Sequence, residues 1–231
     1  MGGAAEPTRW KLATLRPPSS AHRGDGVGRT DYHTPVPLPL LPSQVPREGG
    51  PLSRRLGAWV LSRAGWRVAG NFPDLPKFVC IMAPHTSNWD FFVGVAVKYA
   101  LGVRAVWIGK HSLFRWPING FLRGLGGIPV ERGAPHAVVQ QIADEFAARD
   151  QMIFALAPEG TRKRVERWRS GYWHVAHLAG VPIVPVAFDF ALRTVFIGPP
   201  ITTSDSIEAD EKRLRDYVRG VVPKRPELYV A

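Results

Sequence analysis

From Lys77 onward, short apolar runs alternate with segments of helical period. That alternation predicts an α/β fold: a single domain whose mostly parallel or mixed sheet is covered by helices. Two further observations agree with it. Apolar residues make up 45% of the 231-residue chain, enough for one sizeable core. The polar clusters richest in reactive side chains directly follow apolar runs, which is where ligand-binding loops lie in open α/β sheets.

Residues 1–50 are dense in Pro, Gly, Ser and Arg and carry no helical or strand period. They bury too little surface to offset their ordering entropy, so they are expected to form a disordered tail ahead of a domain over 51–231. The tail's excess of Arg over acid also fits a transit peptide, although no amphipathic pattern accompanies it, and the apolar core of a secretory signal is missing. Leu52, Leu56, Trp59, Val60 and Leu61, with Arg54, Arg55 and Arg63 between them, predict a basic amphipathic helix. It fits a packing helix or one lying on a membrane surface, where Trp59 and Trp66 suit a headgroup interface.

Strands are then predicted over 78–82, 104–108, 127–130, 152–157 and 183–188, with a further one over 195–197. Helices are expected after Ser87, over 116–125, 137–148 and 172–179, and as a polar terminal helix over 207–222. Pro182 and Pro185 argue for an edge or irregular position of the 183–188 strand.

Charge narrows the partners. Lys and Arg number 30 against 19 Asp and Glu, a net charge of +11, which implies an anionic partner. Nucleic acid, an anionic membrane and a phosphorylated substrate all qualify. The cluster Arg162, Lys163, Arg164, Arg167 and Arg169 around Trp168 comes with no recognisable DNA- or RNA-binding module, so nucleic acid is not expected. An apolar run of about 18 residues, the length of a spanning helix, does not occur. Cys80 stands alone, which excludes an internal disulfide and a Cys-rich zinc site; inside an apolar run it reads as a buried, inert thiol. His174 and His177 have helical spacing but no nearby acid or Cys, so they read as packing or surface residues and no metal site is expected. Neither a Gly-x-Ser-x-Gly elbow nor a phosphate-binding Gly-x-x-x-x-Gly-Lys loop is present.

Four blocks carry the chemistry. In Pro84-His85-Thr86-Ser87-Asn88-Trp89-Asp90, the base and the carboxylate cannot meet inside one helix, since five residues turn through about 140°. They meet if His85 lies in the turn before the helix and Asp90 in its first turn, an arrangement that suits proton abstraction from a hydroxyl. Asp90 also fits a capping box with Ser87. Pro158-Glu159-Gly160-Thr161-Arg162 follows a second apolar strand: Gly160 permits close backbone approach and Arg162 offers a planar fork for phosphate or carboxylate. Gly126-Gly127-Ile128-Pro129-Val130-Glu131-Arg132 places Arg132 beyond another strand. The fourth block is Val181-Pro182-Ile183-Val184-Pro185-Val186, a core strand or the wall of an acyl or pantetheine channel.

In this order and spacing the four blocks resemble the glycerolipid acyltransferase family that includes the 1-acyl-glycerol-3-phosphate acyltransferases. The resemblance covers about 75–200, and Lys110, Phe114, Pro117 and Gly120 between the first two blocks also follow the family pattern. It implies transfer of an acyl chain from acyl-CoA or acyl-carrier protein to a lysophospholipid hydroxyl, with no metal or redox cofactor. By that resemblance His85 is the general base, Asp90 fixes its tautomer, and Arg132, Glu159, Gly160, Thr161 and Arg162 form the acceptor-phosphate site, with Lys110 a further substrate contact. With no run long enough to span, contact with an anionic membrane is expected to be peripheral, through the basic amphipathic segment, on the cytoplasmic face. The sequence departs from the family at Pro84, where Asn commonly precedes the histidine, and at the basic run 163–168, where a small Ser-containing turn is usual. The acceptor's identity stays open, and an acyl-thioester hydrolase or a non-enzymatic anionic-membrane-binding module on the same fold remains an alternative.

Overall fold

The computed structural model describes residues 38–130 and 135–230. The chain runs through α1 (Pro51–Arg63), β1 (Arg67–Ala69), β2 (Lys77–Met82), α2 (Asn88–Leu101), β3 (Val106–Lys110), α3 (Asn119–Gly124) and β4 (Gly127–Val130). It continues through α4 (Pro135–Ala148), β5 (Met152–Leu156), α5 (Gly171–Ala179), β6 (Ile183–Asp189), β7 (Thr194–Ile197) and α6 (Ile207–Val218). The strands form one sheet in the order β1-β7-β6-β2-β5-β3-β4, parallel throughout except that β7 runs antiparallel to β6.

The central strands are apolar on both faces because helices cover both. Along β2, Phe78 and Cys80 enter one core with Val93, Val97 and Ala100 of α2, while Val79 and Ile81 enter the other with Ile142, Phe146, Tyr172 and Leu214 of α4, α5 and α6. Cys80 is the buried thiol the sequence predicts, and burial pushes its pKa up to about 12. Trp168, at the centre of the basic run, belongs to the core beneath the Arg215 guanidinium, which lies 4.7 Å from its ring.

Several boundaries differ from the sequence reading. Within the expected tail, residues 38–50 pack on the domain: Val45 is buried, the Gln44 N–H donates to Asp74 Oδ1 at 2.8 Å, and Arg47 bridges to Val103. Such an extended segment has no period because tertiary partners, and not its own repeat, hold it. Residues 1–37 lie outside the described residues. The short strand β1 has too few residues to show a pattern and exists by pairing with β7. Helix α6 stops at Val218, before the expected end.

The prolines of the fourth block do not push β6 to an edge; it lies between β7 and β2. Pro185 is tolerated there because the ladder to β7 begins only at Val186. The missing N–H therefore faces the chain just beyond β7, where the Gly198 N–H still donates to the Pro185 carbonyl at 2.8 Å. Every residue of β6 is buried, which makes it core and leaves no strand surface for a channel wall.

Helix α1 presents its apolar stripe outward. Leu52, Leu56, Trp59 and Val60, spaced i, i+4, i+7 and i+8, are all exposed, and its packing face is Gly57 and Leu61 against α2. Trp66 does not join that outer stripe; its ring packs edge-on against Phe190 at 4.9 Å.

Candidate active site

The adjacent parallel strands β2 and β5 deliver the two richest loops to the same edge of the sheet. Ile81 pairs with Leu156, so His85, a few residues beyond β2, arrives beside Glu159 beyond β5. The His85 N–H donates to Glu159 Oε1 at 3.0 Å, tying the loops together. Ser87 caps α2 by accepting from the Trp89 N–H, which fixes Asp90 in the first helical turn. Asp90 Oδ2 lies 3.0 Å from His85 Nδ1 and accepts from the Thr86 and Ser87 N–H groups, each at 2.9 Å. The capping-box and catalytic-pair readings of Asp90 are therefore one arrangement: a single oxygen closes the helix start and orients the imidazole.

Asp90 is 3% exposed and His85's side chain 25%, so the carboxylate is sheltered while the ring keeps an open side. With Nδ1 held by Asp90, Nε2 is the nitrogen left to exchange a proton with a ligand. Burial holds the Glu159 carboxyl above its ordinary range, against backbone hydrogen bonds that lower it. Beside the pair, a groove of about 580 Å³ is lined by Thr86, Asn88, Thr161, Arg162 and Lys163 on one side and by Lys224, Arg225 and Leu228 on another. A base, its orienting carboxylate and a cationic groove suit deprotonation of a hydroxyl on an anionic substrate.

The Acyltransferase family model matches residues 66–189, a span that contains His85, Asp90 and Arg162. The chain is a member of the Acyltransferase family. A 1-acyl-sn-glycerol-3-phosphate acyltransferase of Haemophilus influenzae is 34% identical over 109 residues, 44% of this chain and 44% of that protein. The protein of that name from Escherichia coli is 32% identical over 163 residues, 62% of this chain and 65% of that protein. The chain thus spans less than two thirds of the length of these curated relatives. Among solved structures, the 1-acyl-sn-glycerophosphate (LPA) acyltransferase PlsC of Thermotoga maritima shares the fold, with a TM-score of 0.54 at 21% identity over 74% of this chain and 77% of that one.

Elsewhere in this chain the remaining expected residues separate. Arg162 reaches the site and its guanidinium donates to Asn88 Oδ1; Thr161 lines the groove and accepts from the Lys163 N–H. Gly160 has φ +64°, and a Cβ there would lie 2.8 Å from Arg169 Cδ, so the glycine serves the turn and the Arg169 side chain occupies the space above it. Lys110 is exposed at the end of β3 and does not line the groove. Arg132 lies outside the described residues. His177 stacks on Trp173 at 4.5 Å, which assigns it to packing.

Sequence reasoning missed several groove residues, Asn88, Lys224 and Arg225 among them. Asn88 sits inside the first block, between Ser87 and Asp90, and its position at the start of the helix was the available signal. Lys224 and Arg225 follow a polar terminal helix, and nothing local distinguishes them from other surface cations.

Proposed function

We propose that the protein transfers an acyl chain from acyl-CoA or acyl-carrier protein to the hydroxyl of a lysophospholipid, 1-acylglycerol 3-phosphate above others. The observation that carries the reading is the His85–Asp90 pair at 3.0 Å beside a groove lined by cations. His85 Nε2 takes the proton as the acceptor oxygen attacks the thioester carbonyl. The tetrahedral intermediate expels the thiolate, which recovers that proton from the imidazolium. Asp90 holds the tautomer and opposes the developing positive charge, the role of the carboxylate in a serine triad but with no enzyme nucleophile. The reaction draws on no metal or redox cofactor. Family membership supports acyl transfer, and the names of the relatives support the acceptor class.

The same reading places the protein peripherally on the cytoplasmic face of an anionic membrane. Among the described residues no helix is long and apolar enough to cross a membrane. The outward stripe of α1, with Arg55 and Arg63 exposed beside it, supports contact with the lipid surface.

Thiol release from palmitoyl-CoA, with and without lysophosphatidic acid, tests the chemistry. Release is expected to depend on the acceptor and to fall by about 10²–10⁴ in His85→Ala, the usual worth of a general base. Release indifferent to acceptor would establish hydrolysis instead. A rate unchanged in His85→Ala would remove the pair from the mechanism.

A further inference from the structure

Among the described residues, four cations and no carboxylate line the groove: Arg162 and Lys163 from the loop after β5, and Lys224 and Arg225 from the chain after α6. The second pair lies beyond the 66–189 span that the family model matches. Both cation-bearing segments are tied to one turn at the start of α2. Arg162 donates to Asn88 Oδ1, and the Arg225 N–H donates to Thr86 Oγ1 at 3.2 Å, next to His85.

The segment after α6 is held along its length. Val221 is buried, the Phe190 N–H donates to the Val222 carbonyl at 2.8 Å, the Val222 N–H donates to Asp189 Oδ2 at 3.4 Å, and the Tyr229 hydroxyl donates to the Val218 carbonyl at 3.3 Å. Lys224 Nζ lies 5.8 Å from the Phe190 ring centre, a cation–π contact within the protein. The Arg225 side chain is exposed and enters none of the ion pairs among the described residues. A pinned main chain carrying an unpaired guanidinium into a groove of one sign of charge is pre-organised for a bidentate anion.

We propose that Arg225 binds a substrate phosphate monoester in this groove together with Arg162, so that the segment after α6 completes the phosphate site. The inference rests on the acyl-transfer reading. Two substrates of that reaction present such a group: the phosphorylated acceptor and the 3′-phosphate of coenzyme A.

The test compares wild type, Arg225→Gln and Lys212→Gln, the last removing an exposed cation on α6 away from the groove. Two ratios of kcat/KM are read: lysophosphatidate over monoacylglycerol, and palmitoyl-CoA over its 3′-dephospho analogue. Arg225→Gln is expected to lower one of them about 10- to 100-fold, as loss of charge-assisted hydrogen bonds does, while Lys212→Gln moves neither. A fall in the first ratio assigns Arg225 to the acceptor, and a fall in the second assigns it to the donor. Calorimetry with glycerol 3-phosphate and with adenosine 3′,5′-bisphosphate runs alongside on the same proteins, after circular dichroism has verified that each is folded. Should wild type transfer no acyl group yet bind either ligand in an Arg225-dependent way, the acyl-transfer reading fails and the phosphate site stands. Both ratios and both affinities matching wild type in Arg225→Gln would overturn the proposal.

Discussion

At the scale of single residues, Glu159 joins stability to the site. It is 7% exposed, and its Oε1 accepts from the His85 N–H while burial raises its pKa. A carboxyl raised in the folded state holds its proton more tightly there than in the unfolded chain. Stability from this group is therefore fully present below the unfolded value and declines as pH rises through the folded one. Glutamine can still accept from the His85 N–H but has no charge to bury. Accordingly, the Tm advantage of Glu159→Gln over wild type is expected to widen as pH rises from the ordinary carboxylate range. Thermal melts over a pH series check this, and parallel Tm curves would show that the carboxyl contributes no such penalty. Glu159 was legible in the sequence as part of Glu-Gly-Thr-Arg. Its bond to the backbone of His85 was not, because that contact depends on the pairing of β2 with β5.

At the scale of elements, the packing of α1 on α2 rests on a missing side chain. A Cβ on Gly57 would lie 2.5 Å from the Ala100 nitrogen and 3.0 Å from the Ala96 carbonyl oxygen, both backbone atoms that cannot rotate away. Gly57→Ala therefore has to push the helices apart. Although alanine is the better helix former, a loss of about 1–3 kcal/mol is expected from overpacking. Denaturant unfolding measures it, and an unchanged or raised midpoint would contradict the close approach. The periodicity of α1 was visible in the sequence. Which face turned inward was not: Leu52, Leu56, Trp59 and Val60 point out, while Gly57 and Leu61 point in.

At the scale of the whole molecule, net charge and exposed apolar surface act together. The chain carries +11, and Leu52, Leu56 and Trp59 stand 80%, 61% and 60% exposed on one helix. Basic residues near an anionic leaflet contribute about 1 kcal/mol each, and that attraction is screened by salt. Sedimentation with phosphatidylglycerol-containing vesicles is expected to capture the protein, less so as salt rises, and far less with pure phosphatidylcholine. Leu56→Ser combined with Trp59→Ser should weaken capture at every salt concentration. Equal capture of this double variant would move the contact to another surface, such as that around Trp116 and Phe121, which are 93% and 65% exposed.

The sequence by itself determined the α/β class, the order of most elements and the His85–Asp90 pair. Each is either a local period or a short motif at a strand-to-helix turn, so neighbouring residues suffice to encode it. Tertiary structure decided the rest. Pro185 lies inside the sheet because β7 ends opposite it, residues 38–50 are ordered by partners distant in sequence, and Gly160 faces Arg169 instead of open space. Lys224 and Arg225 enter the groove because the chain after α6 folds back to Thr86, a contact across 139 positions that no local pattern specifies.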